Sequence, residues 1–135
     1  MQSKPTTDST SERKLYEYAV IRYVPRVERE EFVNIGLLMM CKRRRWIRAR
    51  VLIDETRIQA LYGESDLEVL RRQVQSFTEI AEGDSTSPVA AFETHERFRW
   101  LTAVRSASIA TSRPHPGLCT DLDNEFDRLF SELVS

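Results

Sequence analysis

The sequence predicts an α+β fold: an antiparallel sheet of three to four strands, built on an N-terminal meander and packed with about four helices. Two observations carry this. Up to Ile53 the apolar residues alternate or run unbroken over strand lengths, and beyond Asp54 they recur at helical spacing, so strands come first and mostly helices after. With 135 residues, 41% apolar and 30% charged, the chain suits one core, read as a disordered tail over 1–12 and a single α+β domain over 13–135. The tail is too poor in apolar side chains to offset the entropy of ordering it.

Leu15 to Val24 is dense in Tyr, Val and Ile on both alternating sets, which suits a central strand buried on both faces. Pro25, which donates no ladder hydrogen bond, ends it. Phe32 to Cys41 is apolar except for Asn34 and Gly36, and the basic turn Lys42 to Arg45 leads into Trp46 to Ile53. There Ile47, Ala49, Val51 and Ile53 alternate with Trp46, Arg48, Arg50 and Leu52, giving one buried face and one at least half wet. Asp54 caps a short helix through Tyr62, and Ser65 with Glu68 forms a capping box for a second, with Leu67, Leu70, Val74, Phe77 and Ala81 at core spacing up to Gly83. Residues 83–90 read as a mobile surface connection, and Thr94 to Arg105 as a third helix. An extended piece, Ser108 to Ser112, breaks into a Pro-His-Pro-Gly turn, and Asp121 to Val134 forms the last helix, with Leu122, Phe126, Leu129, Phe130 and Leu133 along one stripe. The pattern suggests a sheet covered on one side.

Net charge is -1, which excludes a generally basic nucleic-acid binder. The distribution is uneven: residues 42–50 carry six basic and no acidic groups, whereas 51–135 carry eight basic against fifteen acidic. Cys41 and Cys119 read as structural thiols. Without an apolar leader or a run of about 18 apolar residues, the chain reads as a cytoplasmic protein with no membrane contact. No metal or cofactor is expected, since the two histidines lack ligand spacing and the four glycines never cluster into a phosphate loop. His95, beside Glu93 and Glu96, reads as exposed.

Three groups of residues can carry function. Asn34 and Gly36, two apart and so expected on one side of the sheet, neighbour Arg22, with Glu31 at the strand entrance. This is either a buried network fixing strand register or a ligand-facing cluster. Arg105, Ser106, Ser112 and His115 form a second group, in which a stiff turn presents an imidazole to act as base, ligand or structural hydrogen-bonding group. No nucleophile elbow, oxyanion nest or third triad member accompanies it. The third is the hairpin of Lys42, Arg43, Arg44, Arg45, Trp46 and Arg48: an edge protected from aggregation by charge, a dock for an acidic protein, or a phosphate-binding surface with a stacking indole.

Two stretches, YEYAVIRYVPRVEREEFVNIGLLM (Tyr16 to Met39) and RFRWLTAVRSASIATSRPHPGL (Arg97 to Leu118), together resemble the DUF3037 family of uncharacterised bacterial proteins. The match lies in Arg22, Val24 and Pro25; in Glu31, Phe32, Asn34 and Gly36; in Arg99, Trp100, Leu101, Thr102, Arg105 and Ser106; and in Ser112, His115 and Gly117. The chain departs from the family pattern in having Val104 and Arg113 where prolines are expected. The resemblance brings no activity, but it implies a protein partner, a HipA-like kinase, and hence a regulatory subunit rather than an independent enzyme. Three functions therefore compete: a non-enzymatic interaction or regulatory module; a small enzyme or ligand receptor with Arg22, Glu31, Asn34, Arg105 and His115 in one pocket; and nucleic-acid binding through the hairpin.

Overall fold

Strand β1 (Lys14–Tyr23) is the axis of the molecule, as its apolar residues on both alternating sets require. A computed structural model describes residues 12–103 and 108–135. On one side β1 pairs with β2 (Val33–Cys41), which pairs with β3 (Trp46–Val51), giving the expected antiparallel meander. On the other side β1 pairs in succession with β4 (Ile109–Thr111) and β5 (His115–Cys119), so the sheet has five strands rather than three to four.

The extra strand is the segment expected to be a Pro-His-Pro-Gly turn. Proline is tolerated there because β5 pairs on one side only, and Pro116 simply lies opposite Glu17. Between β4 and β5 the register slips by one residue, from Ile21 opposite Thr111 to Tyr18 opposite His115. Ser112 covers the joint: its amide donates to the Val20 carbonyl at 2.8 Å, and its buried hydroxyl accepts from the Val20 amide at 2.9 Å. The hydroxyl thus takes the place of a ladder carbonyl.

The helices cover both faces of the sheet, not one. On the first face α1 (Glu55–Leu61), α2 (Leu67–Glu82) and α3 (Thr94–Leu101) bury Ile58, Leu70, Ala81, Phe98 and Leu101 against Ala19, Ile21, Tyr23, Ile35, Leu38 and Met40. On the second, α4 (Leu122–Leu133) lays Leu122, Phe126, Leu129 and Phe130 over Tyr16, Leu37, Met39 and Cys41. The unbroken apolar run Leu37 to Cys41 of β2 requires this two-sided cover, because its odd and even residues both need a partner layer. Burial of each large α4 side chain contributes about 1.5–3 kcal/mol.

Asp54, Asp66 and Asp121 cap α1, α2 and α4 by accepting from backbone amides. The expected Ser65 cap is displaced by Asp66, leaving the Ser65 hydroxyl to donate to the Tyr62 carbonyl and to bond the Tyr23 hydroxyl at 2.8 Å. Gly83 ends α2 at φ 74°. The connection expected to be a mobile loop contains a 3-10 turn, Pro88–Ala91, that buries Ala90. The third helix ends at Leu101, short of the expected Arg105, and residues 104–107 lie outside the described ones.

Candidate functional site

Arg22 and Asn34 are brought together as direct cross-strand partners on the α4 face. The Asn34 amide donates to the Leu133 carbonyl at 3.1 Å, and the Arg22 guanidinium stacks 4.1 Å from the centre of the Phe32 ring. Arg22 Nε and Asn34 Oδ1 are buried without a hydrogen-bond partner among the described residues. One is a donor and the other an acceptor.

The other members of that group lie elsewhere. Glu31 is exposed and pairs with Arg29 at 3.1 Å, so the expected Arg-Glu-Asn network does not form. A bulge in β2, where Ile21 faces Gly36 but Arg22 faces Asn34, absorbs Ile35 and rotates the strand by one residue. Asn34 and Gly36 therefore point to opposite faces, contrary to their spacing. A Cβ on Gly36 would sit 2.6 Å from the Arg50 carbonyl oxygen, so this glycine serves close strand approach. His115 stacks 5.2 Å from Tyr18, four residues along β1 from Arg22 and about 13 Å away at strand rise. Arg105 and Ser106 lie outside the described residues.

The basic hairpin divides in two. Arg48 and Arg50 turn inward to α4, pairing with Asp123 at 3.0 Å and Asp127 at 3.1 Å. Both guanidinium groups also lie over the Phe126 ring, at 4.7 and 5.1 Å, and Trp46 meets the same ring edge-on. Alternation along β3 causes this, since residues 46, 48 and 50 share the α4 face. The tip residues Lys42, Arg43, Arg44 and Arg45 point outward, and of these only Arg44 has an ion-pair partner among the described residues, Glu12 at 3.0 Å. Arg45 sits at φ 49°, a left-handed position that glycine fills at lower cost.

Beside that tip the first face of the sheet is uncovered. Leu15 and Leu118 are cross-strand partners, 60% and 54% exposed. Leu15, expected in the core, is exposed near the start of β1. A cleft of about 240 Å³ runs from it under α3, lined by Leu15, Glu17, Met40, Lys42, Phe98 and Pro114 with His95, Arg99 and Thr102. Residues 95, 98, 99 and 102 recur at helical spacing, so one stripe of α3 forms a wall. His95, expected to be exposed, is largely covered at 21% and lies 3.8 Å from Glu93. An open trough continues past Leu15 along Arg13, Arg43, Leu118 and the paired Arg44 and Glu12. Arg13, Lys42, Arg43 and Arg99 have no ion-pair partner among the described residues.

Sequence reasoning found the hairpin tip but missed Leu15, Leu118 and Arg99. The Leu15–Leu118 pairing exists only because β5 forms, and the prolines concealed β5. The signal for Arg99 was its place beside Phe98 on a short helix.

On the α4 face Tyr16 donates a hydrogen bond to Glu125, which also accepts two from Arg128. Burial and then the Glu125 hydrogen bond push the Tyr16 phenol up, while Arg128 above all holds the Glu125 carboxyl down. Burial pushes the Cys119 thiol up, as suits a structural cysteine. Among the described residues no group of three His, Cys, Asp or Glu is placed to hold a metal ion, and no helix is long and apolar enough to cross a membrane.

The family model described as "Protein of unknown function (DUF3037)" matches residues 18–134. No curated protein and no solved structure matches the chain.

Proposed function

The chain belongs to the DUF3037 family, and from that premise we propose that it is a non-enzymatic interaction module that grips an acidic protein partner with the hairpin end of its sheet. One observation carries the reading: an exposed leucine pair, Leu15 and Leu118, lies beside Arg13 and Arg43, which have no ion-pair partner among the described residues. Apolar area supplies affinity and the cations supply orientation and encounter rate. Arg45 adds support, because its left-handed backbone is held at a cost that glycine would avoid. The partner is a HipA-like kinase, as the family resemblance implies, and Lys42, Arg43, Arg44 and Arg45 meet its carboxylates.

A pull-down from the source cell comparing wild type with Arg43→Glu/Arg44→Glu/Arg45→Glu tests this. Loss of a stoichiometric kinase band from the variant is expected, and identical partner sets would remove the hairpin tip from the account. Salt separates the nucleic-acid reading, which requires the retained material to be nucleic acid with affinity falling steeply as salt rises. A ligand-receptor reading has one favouring observation, the orphaned Arg22 Nε and Asn34 Oδ1. It requires a small polar ligand that satisfies both atoms.

A further inference from the structure

The geometry points to the cleft between α3 and β1 as the socket for one large apolar side chain of an extended acidic segment, with Lys42 and Arg99 receiving the carboxylates on either side of it. This rests on the interaction reading above and deepens it by naming what the partner must present.

Size is the first argument. At about 240 Å³ the cleft is smaller than the roughly 300–1,000 Å³ of small-molecule sites, yet it has room for one phenylalanine or leucine. Its floor is apolar, made by Phe98, Met40 and Leu15, so it favours an uncharged anchor. Charge is the second argument. Lys42 from the hairpin and Arg99 from α3 stand on the rim without an ion pair among the described residues, facing the single carboxylate of Glu17. A segment with carboxylates next to its anchor meets both cations, whereas a basic segment meets repulsion from Lys42, Arg99 and Arg43. Continuity is the third. Leu15 belongs to both the cleft and the trough, so a chain leaving the cleft runs past Arg13 and Arg43, with Arg44 beyond them already paired with Glu12.

Three fluorescein-labelled hexapeptides test it by fluorescence anisotropy on the full chain: five glutamates with one phenylalanine, five glutamates with one alanine, and five lysines with one phenylalanine. The acidic phenylalanine peptide should bind about tenfold or more tighter than the alanine one, and the lysine peptide should not bind. Thr102→Trp, which fills the cleft, should remove the phenylalanine advantage while leaving weak acidic binding. Leu15→Ala, at an exposed position, should reduce the same advantage and guards against misfolding of the filled variant. Arg43→Glu/Arg44→Glu should weaken both acidic peptides alike. Equal binding of the two acidic peptides, still sensitive to the hairpin reversal, would overturn the socket and leave the interaction reading standing. No binding of any acidic peptide at low salt would overturn both.

Discussion

The two faces of the sheet treat the same basic run in opposite ways. On the α4 face Arg48 and Arg50 are fixed by Asp123 and Asp127 and lie over Phe126, so their charge is spent on holding α4. On the other face Lys42 and Arg43 stand beside exposed Leu15 and Leu118. Six cations in nine residues are thus not one feature. Strand alternation sends part of the run into the fold, and the turn presents the rest to solvent.

If the α4 face is the structural one, the largest losses of stability lie there. Phe126→Ala, which empties a fully buried position beneath Trp46 and both arginines, should cost about 3–5 kcal/mol in urea unfolding. A cost below about 1 kcal/mol would mean that α4 is only loosely docked. Gly36→Ala comes next at about 1–3 kcal/mol, because the new methyl meets backbone that cannot move aside cheaply.

The arginines sharpen the contrast. Arg48→Ala/Arg50→Ala should lose about 1–2 kcal/mol, whereas Arg43→Ala should stay within about 0.5 kcal/mol of wild type. Equal costs would erase the distinction between inward and outward cations. The smallest effect is one of pH. Because the folded state holds the Tyr16 proton more tightly than the unfolded chain, its contribution is complete below the unfolded value near 10 and declines as pH rises above about 10. Tyr16→Phe should therefore show a smaller fall in Tm between about pH 8 and about pH 11 than wild type.

Much of the fold was legible because the hydrophobic period changes cleanly at Asp54, and Asp54, Gly83 and the α4 stripe mark their own boundaries. Other features depended on contacts that spacing cannot report. The two prolines around His115 read as a turn, yet Pro114 precedes the strand and an edge position opposite β1 lets Pro116 stay in it. The bulge at Ile35 reversed the relation of Asn34 to Gly36, which simple alternation placed on one side. The second helical layer was implicit in β2, whose odd and even residues are both apolar. Within the candidate site the hairpin tip was visible as charge, but its apolar companions Leu15 and Leu118 became neighbours only through β5.

Backbone amide NMR of the full chain, titrated with the acidic phenylalanine peptide, locates the surface that the partner segment covers. Shifts should concentrate at residues 13–15, 40–44, 95–102 and 114–118, with α4 and β3 little changed. Shifts centred on Arg48, Arg50 and α4, or around Arg22 and Asn34, would contradict that placement.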